Sequence, residues 1–423
     1  MRSRASLRVA LSVASPLFAA GALAQGLPPW APEGRPPLPE DVVSVEITRP
    51  DEPIFRTPDV HGPRRGAAAL GARLPLLGVK PGPGCKRDWF LVGPEAWLCG
   101  DGGAPSGAAP TSADAEPPPS ESGMPRAYYF VGKDGTLGYG DLHDADRAPP
   151  KGELQAGFAV SMKRVERGET GESYGLTTKG LWLPLRDLAP VVPLRFSGYR
   201  AEAGTLDRGF VVEDGATAYA EPGKKAKRDV RAPARFETVP VLETREEKSR
   251  SYVRIADGLW LEATSLRIPK PSTPPDEAKG GERWIDVSLA DETLVAYEGS
   301  RPVFATLVST GIGKGQAETA TPLGVHRIWV KLKTTDMTNL EDPEAAHYYA
   351  MEEVPWVMFF EKGFGIHGAF WHRSFGHPRS HGCVNLTPRD ARFLFDWAGP
   401  HLPTGWSAVL PTEWDPGTLV RVR

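Results

Sequence analysis

The sequence predicts a mainly β, multidomain protein: small β-barrel modules, then a larger β-rich C-terminal domain with one short helix towards its C-terminal side. Three observations predict it. The chain has 423 residues, more than one core usually supports. Glycine and proline cut its apolar stretches into short runs of strand length. Aromatic residues recur eight positions apart in three places, at Trp89 and Trp97, Tyr174 and Trp182, and Tyr252 and Trp260.

In chain order, residues 1–24 read as a secretory signal peptide. Arg2, Arg4 and Arg8 precede a largely apolar Leu7 to Leu23, and Ala22-Leu23-Ala24 offers small residues at a cleavage point. The run is too short, with too polar a sequel, for a membrane span, and no later stretch qualifies. Cleavage removes three arginines and no acid, taking the formal charge from -3 to -6, which argues against nucleic acid as a partner. The expected location is therefore the periplasm or cell envelope, beyond the inner membrane, with no transmembrane segment after cleavage. Residues 25–44, rich in proline and glycine, read as a tether, and 101–127 as a linker.

Each aromatic repeat reads as a tight hairpin whose large apolar residues share a small core. Strand-like runs precede the hairpins at 73–77, 157–161 and 236–241. Over 45–100, 128–190 and 206–268 the pattern resembles the bacterial SH3 domains appended to cell-wall enzymes. That resemblance implies SH3-like β-barrels that hold wall polymer or act as spacers.

Residues 272–282 separate the last module from a domain spanning 283–423. Alternating runs at 284–289, 293–297, 302–309, 325–332 and 356–360, with a closing strand at 417–422, make it β-rich. Its helix is placed by Thr387 as N-cap, Pro388 at the first helical position and Asp390 three residues past the cap. Ala391, Leu394 and Phe395 then share one face, and the helix stops near Gly399-Pro400.

The chemistry concentrates at 363–397. Of three cysteines, Cys85 and Cys99 lie fourteen residues apart and form a possible disulfide in an oxidising compartment. Cys383 is left over, in a Ser380-His381-Gly382-Cys383 turn, with His367-Gly368 sixteen residues upstream. A nucleophilic thiol needs an imidazole to take its proton, and the other ring nitrogen needs an acceptor to fix its tautomer. Flanking glycines let backbone N–H groups at Gly382 and Cys383 approach a tetrahedral oxyanion.

Ile366-His367-Gly368 with Ser380-His381-Gly382-Cys383-Val384-Asn385 resembles the signature of the L,D-transpeptidases, the YkuD-like family. Val308-Ser309-Thr310-Gly311 and Thr321-Pro322-Leu323-Gly324 match its other recognisable segment. The resemblance implies Cys383 as nucleophile and His367 as base, oriented by the Gly368 carbonyl. It implies a pocket and oxyanion region shaped by His381, beside which Ser380, Gly382 and Asn385 fall, while Trp371 and His372 read from their own chemistry as residues on the groove. Asn385 stands where many members carry arginine, a subtype difference. The polar stretch 342–353 suggests an elaborated lid or substrate wall.

By resemblance, the enzyme takes tetrapeptide stems of peptidoglycan, releases the terminal D-alanine through a thioester and forms 3→3 crosslinks with another stem. Water or an envelope protein as acceptor would make it an L,D-carboxypeptidase or a protein-anchoring transpeptidase. The resemblance implies no metal and no cofactor. Three rivals remain: a zinc site built from His367, His372, His377, His381 and Cys383, a papain-like protease, and a non-catalytic wall-binding protein. The spacings of five, five and four fit no compact zinc motif, and a base preceding its cysteine is the reverse of the papain order. The intact pair of His-Gly and Ser-His-Gly-Cys motifs speaks against a binding protein.

Overall fold

The computed structural model describes residues 41–111, 121–145, 147–227, 230–315, 317–340 and 349–423. The signal peptide, residues 25–40 of the tether, residues 112–120 of the linker and residues 342–348 of the polar stretch lie outside them.

The C-terminal domain is a layered β structure with its helix packed into the core. One sheet has the order Tyr199–Arg200, Arg301–Leu307, Thr293–Glu298, Arg283–Ser288, Leu419–Val422, Gly324–Arg327. Alternation decides which face each residue serves. Leu294 and Ala296 enter the main core with Ile285, Val287, Val420 and Val422, while Val295 and Tyr297 turn to the opposite face. There Tyr297 stacks on Trp284 with ring centroids 4.2 Å apart. The main core is completed by Trp356, Met358, Ile366, Val384 and Leu386 of a second sheet and by Ala391, Leu394 and Phe395 of the helix.

The helix runs Pro388–Trp397, and Thr387 Oγ1 accepts from the Asp390 N–H at 3.3 Å. Asp390 does more than complement the helix start. Its buried carboxylate accepts from Ser197 Oγ (2.7 Å), Gly198 N (2.9 Å) and Thr306 Oγ1 (2.6 Å). It thereby ties the 196–200 connector to the domain, where Tyr199–Arg200 adds an edge strand. At the other helix end Lys331 Nζ donates to the carbonyls of Phe395 and Ala398, satisfying acceptors the helix leaves over.

The aromatic repeats lie on hairpins: Trp89–Gly93 with Ala96–Cys99, Ser173–Thr177 with Trp182–Pro184, and Arg250–Ala256 with Leu259–Glu262. The SH3-like β-barrels do not form. Among the described residues no sheet closes on itself. The physical reason is where the strand edges find partners. Arg64–Ala68 pairs with Trp406–Val409 of the C-terminal domain, and Ala159 bridges to Met351. Most strands of the first two segments are thereby drawn into one open sheet of 15 strands with Val330–Thr338 and Ala350–Glu361, the rest forming small sheets of two and three strands. The third segment makes two further open sheets, of three and five strands.

The stretch read as a linker is partly structured. Gly103–Ser106 pairs with Ser44–Ile47, and Gly123 accepts from Trp356 Nε1 at 2.6 Å. No helix of the described residues is long and apolar enough to cross a membrane.

Candidate active site

Strand Phe364–Gly368 lies parallel to Val384–Leu386, with Ile366 opposite Val384 and His367 opposite Asn385. Cys383 immediately precedes that second strand, so alternation returns it to the face that Asn385 and His367 share. Sixteen residues of separation thus become a diagonal neighbourhood across two adjacent strands.

The turn before Cys383 is stapled by one hydroxyl. Ser380 Oγ accepts from Gly382 N at 3.1 Å and donates to the Cys383 carbonyl. The Gly382 N–H, expected to face an oxyanion, is therefore engaged within the turn. Gly382 sits at φ +114°, and a Cβ there would lie 2.3 Å from the Phe364 ring, so only glycine fits. The Val308–Gly311 segment flanks the turn: Ser309 exchanges backbone bonds with Asn385, and Ser380 N donates to the Thr310 carbonyl. Gly311 N donates to Thr321 Oγ1 at 2.9 Å, joining the two halves of the second motif.

His367 is buried, and its Nδ1 lies 3.2 Å from the Gly368 carbonyl. Its Nε2 lies 3.0 Å from Asn385 Nδ2. Asn385 Oδ1 is 3.0 Å from His372 Nε2, and His372 Nδ1 accepts from the Ser374 N–H at 3.1 Å. The backbone N–H at the far end dictates every proton in this row. His372 Nδ1 must be bare, so Nε2 carries the proton and donates to Asn385 Oδ1. The Asn385 amide then donates to a bare His367 Nε2, leaving the His367 proton on Nδ1, aimed at Gly368.

Burial pushes the His367 pKa down to about 4, with the Gly368 bond opposing and nearby His372 adding to the fall. Burial likewise lowers His372 and raises the half-buried Cys383 thiol, whose sulfur lies 3.9 Å from the Gly363 carbonyl. Both shifts favour a neutral imidazole beside a thiol over a thiolate–imidazolium pair. His381 stands at the rim, exposed, its ring stacked on Tyr349 at 5.9 Å. Trp371 stacks on His367 at 5.8 Å, and Phe370 is buried against Tyr128 at 4.4 Å.

His377 of the suggested zinc cluster turns away, its Nε2 3.5 Å from the Val212 carbonyl, and the rings of His367 and His372 are committed as described. Cys85, Cys99 and Asp101 stand close enough for a metal, but the two sulfurs are bonded to each other as a disulfide. A cavity of about 900 Å³ lies away from these residues, lined by Arg64, Lys163, Lys333, Thr335 and Ser407 among others.

Two residues of the site carry no signal in the sequence. Glu292, between the strand-like runs 284–289 and 293–297, is buried and accepts from Thr310 N (2.9 Å) and Thr310 Oγ1 (2.5 Å). Burial lifts its pKa to about 7 against those two bonds. Tyr349 lies close enough to Cys383 for a thiolate charge to add to the desolvation that raises its own pKa. Each depends on a partner far along the chain, which no spacing rule anticipates.

Residues 282–422 match the family model described as YkuD, L,D-transpeptidase catalytic domain. This part of the chain is a YkuD-like L,D-transpeptidase catalytic domain. YciB of Bacillus subtilis (strain 168), named as an inferred L,D-transpeptidase, is 24% identical over 165 residues, 35% of this chain and 77% of its own. The L,D-transpeptidase structure from Xylanimonas cellulosilytica is 20% identical over 36% of this chain and 64% of that one, with a TM-score of 0.24. The catalytic domain from Enterococcus faecium is 22% identical over 34% of this chain and 100% of that one, with a TM-score of 0.25. The chain thus spans less than two thirds of the first of these structures. The assignment rests on the family match, not on these structural scores.

Proposed function

We propose that this chain is an exported peptidoglycan L,D-transpeptidase acting through Cys383 and His367. The observation that carries it is the protonation order at His367: a bare Nε2 on the face shared with Cys383, and an Nδ1–H held by Gly368. A neutral imidazole is the form able to accept a proton, and burial keeps it neutral.

In the reaction, His367 Nε2 exchanges its Asn385 contact for the Cys383 thiol and takes its proton. The thiolate attacks the carbonyl of the third stem residue, forming a C–S bond and a tetrahedral oxyanion near the Ser380–Cys383 turn. Collapse breaks the peptide bond, and His367 returns its proton to the departing D-alanine amine. A side-chain amine of a second stem then attacks the thioester, loses a proton to His367 and releases the Cys383 thiol, giving the 3→3 link. His381 with Tyr349, and Trp371 with His372, line the approach. The disulfide between Cys85 and Cys99 suits an oxidising envelope compartment.

The test incubates the full chain with disaccharide-tetrapeptide and follows muropeptides and protein mass. A dimer with free D-alanine is expected. A tripeptide alone would mean an L,D-carboxypeptidase, and transfer only onto an added envelope protein would mean an anchoring enzyme. Neither D-alanine nor a Cys383 adduct would end the reading.

A further inference from the structure

The loop 369–377 between base and nucleophile is bonded to Val308 and Ser309 of the catalytic domain, and it is also held from outside that domain. Phe375, fully buried, packs with Phe196, Phe210, Val212 and Leu307. Arg235 donates to the Arg373 carbonyl at 2.8 Å, and Arg267 Nε to the Gly376 carbonyl at 3.0 Å. Phe210, Val212, Arg235 and Arg267 all belong to the third N-terminal segment. The residue so positioned is His372, which bonds the Ser374 N–H through Nδ1 and Asn385 Oδ1 through Nε2.

We propose that His372 is a positioning residue for the base: clamped by the 208–268 segment through the 369–377 loop, it orients the Asn385 amide and thereby sets the tautomer of His367. This deepens the proposed transpeptidase reading and rests on it. Without a donor at His372 Nε2, the Asn385 amide loses its reason to keep Oδ1 away from His367. A turned amide would present an acceptor to His367 Nε2, favour a proton there and remove the lone pair that the thiol needs. A bystander histidine packed only on Phe375, 5.0 Å away between rings, would leave that tautomer untouched.

The experiment uses the full chain with ¹⁵N-labelled histidine, read by ring-nitrogen shifts, alongside kcat and KM on disaccharide-tetrapeptide. In the wild type His367 is expected with a protonated Nδ1 and bare Nε2; a protonated Nε2 would overturn the inference before any variant is made. His372→Leu should populate the Nε2–H form and lower kcat by about 10- to 100-fold with KM nearly constant, short of losing the base altogether. His372→Gln, whose amide reaches the same place as Nε2, should restore the Nδ1–H signature and most of kcat. Equal losses in both variants, or an unchanged ring signature in His372→Leu, would sink the proposal. The pair Arg235→Ala and Arg267→Ala should shift the same ring signals in the same sense, more weakly; unmoved signals would refute the clamp. If the ring signals behave as expected while the wild type releases no D-alanine, the transpeptidase reading fails and the positioning role stands.

Discussion

Two short stretches lie beside His367, and they are held differently. The turn 380–385 is built from within the catalytic domain: Ser380 closes it, Ser309 and Thr310 pair with it, and Glu292 anchors Thr310. The loop 369–377 shares Leu307, Val308 and Ser309 of that domain but is also held from outside it, by Phe210, Val212, Arg235 and Arg267. On the proposed reading the turn supplies the nucleophile and the loop supplies the histidine that sets the proton order. On that reading a domain match of 282–422 covers the proposed reacting atoms but not all that positions them.

The largest expected effect breaks the turn's chemistry and leaves its structure. Cys383→Ala should abolish D-alanine release and any protein adduct, and the melting temperature should stay within a few degrees, since the thiol's polar contact is one long approach to Gly363. Activity surviving in that variant, measured by muropeptide analysis, would remove Cys383 from the mechanism. His367→Ala should leave the thiol present but slow acylation by about 10²- to 10⁴-fold.

Next comes the loop's outside anchor. Phe375 is fully buried, so Phe375→Ala should cost about 3–5 kcal/mol in denaturant unfolding. It should also lower turnover without removing the nucleophile. If stability falls and the remaining folded enzyme keeps its full rate per molecule, the loop does not govern the base, and the contrast between the two stretches is one of packing alone.

Much of this organisation is legible in the sequence, and the limits are instructive. Short strands, tight hairpins and the Thr387-capped helix follow from local rules, because alternation, turn glycine and capping are settled within a few residues. Barrel closure is not local. It depends on which edge finds a partner, and the edge of Arg64–Ala68 finds Trp406–Val409, at the far end of the chain. In the site, the sequence names Cys383, His367, Gly368, His381, Asn385 and His372, but the parallel register that puts Asn385 on His367 Nε2 has no sequence signature. Glu292 and Tyr349 are silent for the same reason. An acid in a turn and a tyrosine in a polar stretch look like surface until their partners arrive.

The turn's inside anchor gives a pH signature. Glu292 has its folded pKa raised to about 7 from an ordinary value of 4.5. An acid raised in the folded state holds a proton the unfolded chain has released, so stability is full below the unfolded pKa and declines as pH rises towards the folded one. Between pH 4.5 and 7 this group should remove up to about 3 kcal/mol of stability. Glu292→Gln should flatten that slope in urea titrations at pH 5 and pH 8. An identical slope in both proteins would mean the carboxyl titrates normally, its two bonds from Thr310 then offsetting the cost of burial in full.

The smallest effect lies at the rim, where turn and polar stretch meet. Tyr349 and His381 stack at 5.9 Å with rings 14° from parallel, and His381 is exposed. Ring pairs of this kind contribute about 0.5–1.5 kcal/mol beyond burial, and exposure puts this one at the low end. The pair nonetheless faces Cys383, so its loss should be felt by substrate more than by fold. Tyr349→Ala and His381→Ala should each raise KM about two- to fivefold, and the double variant should be no worse than the poorer single one, because each ring then has nothing to stack on. Tyr349→Phe should behave as wild type, since a ring remains. Should His381→Ala instead lower kcat as severely as His367→Ala while Tyr349→Ala is silent, His381 shares the proton transfer. The turn would then carry acid–base chemistry of its own, and the division of labour between turn and loop would have to be redrawn.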